Sequence, residues 1–588
     1  MKLDYSSDKA RKDLLAGVTV AAISLPQAMA YALIAGVDPR FGLYSAIVIT
    51  LVASIFGSSS HLINGPTNAI SLVVFSALAF FAARSHMEAY QAMFLLGIMI
   101  GCIQILIAVF KLGDLTSYIS ESVVIGFMAG AGTLIAITQI GNLTGMQERG
   151  TGLQHVLYRT WMTVRDGQMN SRAFAVGLST IVLAVALRYL VRKFRWPQFD
   201  MLASLLVVAG VAALFGWSRP GIDGKTVITT VASIPRNLPA PHLPHIEFWW
   251  IKQMSGSALA IAFLGLLEAL SIAKSIANTT CQRLDYNRQC MAEGLANLTG
   301  GFFQCLPGSG SLTRSAINFQ SGAVSRMSGI FAAGTVALVV VTMAPYARYI
   351  PKAALAGLLV ITAARLVDWK RLKYAMRASR FDRLLVVVTA FSAIFISVEF
   401  SILIGVAISI LLFIPRAAVL SFSELTVAND RVVRDRLPND PVCTSLLLYD
   451  LEGELFFGAA PQLERLFDKV RKRTEDEKIR FVILRMKHTR NPDMVSMERF
   501  DHFLHQMESR GVIVLLCGVR HGFASVMENL RFRDWLPADR VFYEEKQAFS
   551  ATLKAVHHVY KLLGENTCEH CRRNQASGSE LRELYYLV

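Results

Sequence analysis

Apolar and polar residues are grouped in long blocks over the first two thirds of the chain. Apolar runs recur at 14–35, 42–57, 67–83, 91–110, 116–141, 172–191, 199–216, 255–277, 289–305, 312–322, 328–346, 353–365, 383–398 and 400–415. A helix crossing a bilayer needs roughly 20 apolar residues. The pattern predicts an α-helical polytopic membrane block of fourteen segments, several of them short, ending near Pro415. The first run is too long for a cleaved signal, and no small-residue cleavage site precedes the next run. An even number of segments puts both ends of the block on one side.

Beyond Pro415 the period shortens. Residues 416–440 are polar and basic and read as a linker. Residues 442–450 alternate like a strand, which 454–457 extend after a turn; 479–486 and 512–518 read as buried strands and 540–543 as a short one. Helical spacing marks 461–473, 496–509, 523–531 and 548–563. Such alternation predicts a small α/β domain with a largely parallel sheet over 441–563, followed by a flexible tail at 564–588.

Two stretches interrupt the membrane pattern. One is 306–326, where Pro307 to Ser311 cannot begin an ordinary helix; Ser311 or Thr313 then suits an N-cap, with Arg314 in the first turn. The other is 61–72, where Gly65-Pro66 breaks the chain and Thr67 caps an apolar helix reaching about Ala83. A helix starting at membrane depth leaves its first N–H groups unpaired, with about half a positive charge there. The breaks precede the third and tenth segments, matching places in two sets of seven. Seven is odd, so the second set is inverted and the two helix starts meet near the midplane. Two such ends suit an anion. The residues alone also allow an exposed loop with Arg314 among lipid headgroups.

Composition narrows the partners. Of 588 residues, 53% are hydrophobic and 17% charged, whereas soluble domains carry about 25% charged residues. The net charge of +16 sits in clusters between apolar runs. Arg188, Arg192, Lys193 and Arg195 form one; Arg365, Lys370, Arg371, Lys373, Arg377, Arg380 and Arg383 form another. That is the positive-inside pattern of a cell (inner) membrane protein, not a nucleic-acid surface. It places the N-terminus and the α/β domain in the cytoplasm, with 142–171 and 217–254 outside. The eight cysteines suggest no disulfide framework. Cys568 and Cys571 form a single CxxC near His557 and His558, too little for zinc, and His502 and His505 share a helix face with no further ligand. No metal, cofactor or nucleic-acid partner is expected. No nucleophile, base and oxyanion group converge, so no enzyme is expected either.

Polar residues inside the block carry the chemistry. Gln27 and Tyr31 are four apart beside Pro26, on one helical face that points to protein or a cavity. They serve as ligands or as packing bonds. Glu268, with Ser271 on its face, stands deep in the eighth segment, where a carboxyl is functional by default. The plainer reading is a structural partner for Arg314 or Lys274.

The runs Pro26-Gln27-Ala28-Met29-Ala30-Tyr31, Gly65-Pro66-Thr67 and Ser311-Leu312-Thr313-Arg314-Ser315 together resemble the motifs of the sulfate permease (SulP) family. The likeness covers nearly the whole chain, a membrane block followed by a STAS domain. It implies two inverted repeats of seven segments with two half-helices, split into core and gate domains, and elevator-like secondary active transport. It implies a homodimer in membrane lipid, and an anion pocket made by Gln27, Tyr31, Thr67, Ser311, Leu312, Thr313 and Arg314. Glu268 matches the acidic position of proton-coupled members; some relatives have Asp there and use sodium. The implied function is symport of protons with a small inorganic or carboxylate anion, sulfate first, bicarbonate or a dicarboxylate otherwise. The expected coupling is electrostatic: ionised Glu268 beside Arg314 leaves the site near neutral, and its protonation frees positive charge for the anion. An uncoupled exchanger or channel, or a membrane anion sensor signalling through STAS, are the other readings. The STAS part departs from the family's Asp-Ser-Ser/Thr-Gly motif: in 491–496, Met494 takes the phosphorylatable place and Ser496 reads as the N-cap of the next helix. A cytoplasmic protein partner of this domain is a further implication.

Overall fold

Each of the fourteen expected apolar segments carries a helix in the computed structural model. It describes residues 6–113, 120–147, 149, 154–194, 200–218, 226–231, 233–427, 432–440, 442–544, 551–564 and 585–586. The chain divides into two units, Met1–Ser409 and Ile410–Val588.

In the first unit α1 (Ser7–Ile34), α2 (Pro39–Phe56), the two-residue strand β1 (Asn64–Gly65), α3 (Asn68–Ala82), α4 (His86–Val109) and α5 (Glu121–Thr144) follow in order. Polar caps cut the apolar blocks: Asp38 accepts from Arg40 N at 2.9 Å just before Pro39, and Ser85 from Met87 N at 3.1 Å. A short helix in the first expected outer loop, α6 (Val156–Asp166), precedes α7 (Ser171–Phe194), α8 (Asp200–Leu214), α9 (Phe248–Thr280) and α10 (Tyr286–Phe302). Then come β2 (Ser309–Gly310), α11 (Leu312–Gln320), α12 (Met327–Met343) and α13 (Lys352–Leu366). The basic stretch after α13 is itself helical, α14 (Trp369–Ala378). It leads to α15 (Arg380–Phe391), which ends in a π-turn at Ser392–Ile396, and to α16 (Val398–Ala417). Among the described residues, eight helices are long and apolar enough to cross a membrane.

The helices form two bundles. One packs α1 to α4 with α9 to α12; the other packs α5 to α8 with α13 to α16. The bundles meet where α1 touches α8 and α13, and where α3 touches α5. Small residues let backbones approach inside the first bundle. A Cβ on Gly101 of α4 would stand 2.4 Å from the amide nitrogen of Leu298 on α10.

The second unit is an α/β domain. Its sheet runs in the order β8 (Val541–Tyr543), β7 (Ile513–Val519), β6 (Phe481–Arg490), β5 (Leu446–Glu454), β3 (Ser421–Val427), β4 (Val432–Asp435), β9 (Tyr585–Tyr586). β5 to β8 are parallel, whereas β3 is antiparallel to both its neighbours. One face is covered by α17 (Ala460–Asp476), α18 (Met494–Ser509) and α19 (His521–Asn529), the other by α20 (Ala551–Leu563). α17 turns Leu463, Phe467 and Val470 inward at helical spacing.

Three local expectations change. The stretch 416–440, expected as a linker, supplies β3 and β4; these short strands mix polar residues with a few buried apolar ones, a pattern that a connector also shows. The strand expected at 442–450 starts later and runs without a turn through Leu446–Glu454 as β5, and the expected extension stops at Glu454. The N-cap of α18 is Asp493, not Ser496: Ser496 N donates to Asp493 at 2.9 Å and Ser496 returns a bond to the Asp493 backbone as the N3 partner. Cys568 and Cys571 lie outside the described residues.

Candidate functional site

The two interrupted segments are brought together by backbone hydrogen bonding. β1 and β2 pair antiparallel, Asn64 opposite Gly310 and Gly65 opposite Ser309. Ser311 N adds a bond to Ile63 O at 2.9 Å. An antiparallel ribbon sends its following chains in opposite directions, so α3 and α11 start at the ribbon and run apart. Their N-termini share one place, as the matching Gly-Pro and Gly-Ser-Gly breaks predict.

The two helix starts are not equivalent. Thr67 caps α3, its Oγ1 accepting from Ile70 N at 3.4 Å. Ser311 occupies the cap of α11 but makes no side-chain capping bond. The first turn of α11 thus keeps donors with no capping side chain.

A cavity of about 880 Å³ opens in front of this ribbon. Its wall includes Gln27 and Tyr31 of α1, Thr67, Glu268, and Ser311, Leu312 and Thr313. It extends past Ser271 and Lys274 of α9 to Arg371 and Leu372 on α14. Gln27 is 3% exposed and its Oε1 has no partner among the described residues, while Nε2 donates to Met201 Sδ at 3.7 Å. A half-turn of this amide presents its N–H groups in place of the oxygen.

Glu268 joins both interrupted segments. Its Oε2 accepts from Ser309 Oγ at 2.9 Å and from Thr67 Oγ1 at 3.3 Å. Each hydroxyl has a single hydrogen to give, so an ionised Glu268 occupies both.

The structure places Arg314 differently from the expectation. Its side chain is 1% exposed, and Nη2 donates to Pro66 O at 2.7 Å. A Cβ on Gly65, at φ +139°, would lie 2.6 Å from its Nη1. The guanidinium therefore sits behind the ribbon and is not part of the cavity wall. Glu268 is held by hydroxyls, and it makes no close ion pair with Arg314 among the described residues. Arg314 remains a buried positive charge under the floor of the site.

Several supporting residues were not read from the sequence. Gln289, Glu293 and Asn297 lie four apart, on one face of α10. Gln289 Oε1 accepts from Ser58 N at 2.9 Å and Ser59 N at 3.2 Å, and Nε2 donates to the fully buried Glu293 at 3.1 Å. Asn297 exchanges bonds with Gly308 N at 2.9 Å and Gly308 O at 3.0 Å. One helix face thus holds the chain entering both strands of the ribbon. Asp13 of α1 accepts from Val324 N at 2.7 Å and Ser325 N at 3.0 Å, fixing the chain beyond α11. Of these only Glu293 carried the signal of Glu268, a carboxyl inside an apolar segment; Asp13 precedes the first apolar run, and Gln289 and Asn297 are uncharged.

Residues 11–389 match the model of the sulfate permease family, and 438–548 that of the STAS domain. The Bacillus subtilis (strain 168) protein YvdB, named as a candidate sulfate transporter, is 30% identical over 478 residues, 80% of this chain and 85% of its own. High affinity sulfate transporter 2 of Stylosanthes hamata is 27% identical over 532 residues, 87% of this chain and 79% of its own. Among solved structures, the fold is similar to that of the murine solute carrier 26 family member A9 anion transporter in the inward-facing state. The TM-score is 0.84 at 20% identity, covering 95% of this chain and 92% of that one.

Proposed function

We propose that this chain, which belongs to the sulfate permease family of transporters, carries a small anion across the membrane together with protons, sulfate being its first substrate. The observation that carries this reading is the Glu268 carboxyl, bonded at once to Thr67 beside the α3 start and to Ser309 beside the α11 start. While Glu268 is ionised, both hydroxyls point their hydrogens at it. On protonation its own O–H becomes a donor, and the Thr67 hydrogen is released toward the cavity. The uncapped first turn of α11, the Ser311 and Thr313 hydroxyls, Gln27 and Tyr31 complete an anion cradle. Arg314 and the two helix ends supply positive potential from behind. A proton on Glu268 and an anion before it then favour each other, and linkage makes the effect reciprocal.

The two-bundle architecture supports an elevator motion. The bundle of α1 to α4 and α9 to α12 holds the whole cradle and moves as one body past the other. The cluster Lys370, Arg371, Lys373 and Arg377 on α14 supports a cytoplasmic position for that face of the cavity. The N-terminus and the STAS domain share that side of the cell membrane. A homodimer is the working assembly, with a cytoplasmic protein as the partner of STAS.

The test is uptake of labelled sulfate into proteoliposomes under an imposed pH gradient, with bicarbonate and dicarboxylates as competitors. Glu268→Gln is expected to lose pH-driven accumulation while keeping anion counterflow. Accumulation that still follows pH in this variant would overturn the coupling role of Glu268.

A further inference from the structure

With Arg314 behind the ribbon, the cations that border the cavity are others. Lys274 lies six residues beyond Glu268 on α9, in the bundle that holds the cradle. Arg371 is occupied by Glu121 and Asp368 at the mouth. Arg365 belongs to the last turn of α13, in the facing bundle, and lines the same cavity. Thr362, one turn earlier, meets Gln27, Tyr31 and Met201 around a narrow void between the bundles. Arg365 therefore borders the part of the cavity next to the α1 face of the cradle. Its Nη2 reaches Asp200 Oδ2 at 3.5 Å, at the start of α8 and within the same bundle. The Arg365 side chain is 28% exposed and that of Asp200 8%.

We propose that Arg365 is a second anion-contacting cation, supplied by the facing bundle, restrained by Asp200, and engaged only while the cavity is open on the α14 face. This rests on the transport reading above and deepens it. The cradle carries Gln27, Thr67 and the α11 start wherever its bundle goes. Arg365 stays with the other bundle, so the anion meets it on one side of the transport cycle only. A guanidinium bond to an anion is charge-assisted and adds affinity on that side. The competing role is purely structural: Arg365 favours the C-terminal end of α13, and Asp200 the N-terminal end of α8. The two roles differ in what they do to each face.

The experiment measures half-saturating sulfate separately on each face, in right-side-out and inside-out proteoliposomes, by exchange at fixed pH. Arg365→Gln is expected to raise the value at the α14 face by roughly tenfold, the size of one lost charge-assisted bond. The opposite face is expected to stay within about twofold, a shift small against that bond. Arg365→Lys recovers part of the loss. Asp200→Asn loosens the restraint and lowers the value at the α14 face alone, so the test survives if Arg365→Gln fails to fold. Equal shifts on both faces, or a weaker α14 face in Asp200→Asn, overturn the proposal. Failure of the coupling reading shows separately, as accumulation in Glu268→Gln that still follows pH. If the parent exchanges bicarbonate or a dicarboxylate instead of sulfate, the same two-face comparison is made with that anion.

Discussion

Thr67→Val replaces a hydroxyl by a methyl at nearly constant shape and removes two bonds together. Thr67 Oγ1 accepts from Ile70 N at 3.4 Å and donates to Glu268 Oε2 at 3.3 Å. Both are long, so the low ends of the usual ranges apply. Loss of the cap costs about 0.5 kcal/mol, and loss of a bond to a charged group about 1.5 kcal/mol. The resting protein is therefore destabilised by roughly 2 kcal/mol. In the anion-bound state the missing donor is the one the anion would accept from, so half-saturating sulfate rises roughly tenfold. Thr67→Ser keeps the oxygen and its hydrogen, and restores both quantities. The measurements are thermal unfolding of purified protein and sulfate exchange in proteoliposomes. A parental half-saturation value in Thr67→Val, or a serine variant as impaired as the valine one, would refute the shared-hydroxyl mechanism.

Two further outcomes follow from the geometry. Gly65→Ala adds a Cβ about 2.6 Å from Arg314 Nη1 and asks an alanine to adopt φ +139°. Such a backbone costs on the order of 1–3 kcal/mol, and the guanidinium cannot retreat without leaving Pro66 O. Uptake is expected to fall at least tenfold while the helical content by circular dichroism is retained; normal uptake would mean that the ribbon yields freely. In the second unit Arg434 grips Asp440 through bonds of 2.6 and 2.8 Å, and Leu437 N adds one of 2.7 Å. Those bonds hold the Asp440 carboxyl down to about 2, from an ordinary 3.8. A carboxylate depressed by folding stabilises above its unfolded value, and the contribution is lost as pH falls from about 4 to about 2. Asp440→Asn should therefore lower the denaturation midpoint of this unit at neutral pH and converge with the parent at the acid end of that window. A difference that persists at the acid end would assign the effect to something other than this charge.

The residues by themselves determined where the fourteen apolar helices lie (though not α6 or α14), where two are broken, and which side chain caps α3. Those features are local: apolar blocks of fixed length, Gly-Pro and Gly-Ser-Gly breaks, and a threonine placed to take the first free N–H groups. Glu268 was legible for the same reason, because an isolated carboxyl in an apolar block has no other account. The strands β3 and β4 were hidden, since short stretches of mixed polar and apolar residues read as a connector, and only the pairing of β3 with β5 and of β4 with β3 makes them strands.

What a side chain faces was decided by the tertiary structure alone. A helix surrounded by other helices is apolar all round, so its periodicity does not say which neighbour a given residue meets. Arg314 was visible as a charge at a helix start, but the ribbon's pairing put Gly65 and Pro66 between it and the cavity. Glu268 was bound to hydroxyls from two segments 242 residues apart in sequence, Thr67 and Ser309, and Arg365 was turned from a basic loop cluster into a cavity wall. Each of these depends on chain segments that are distant in sequence and adjacent only once the two bundles have packed.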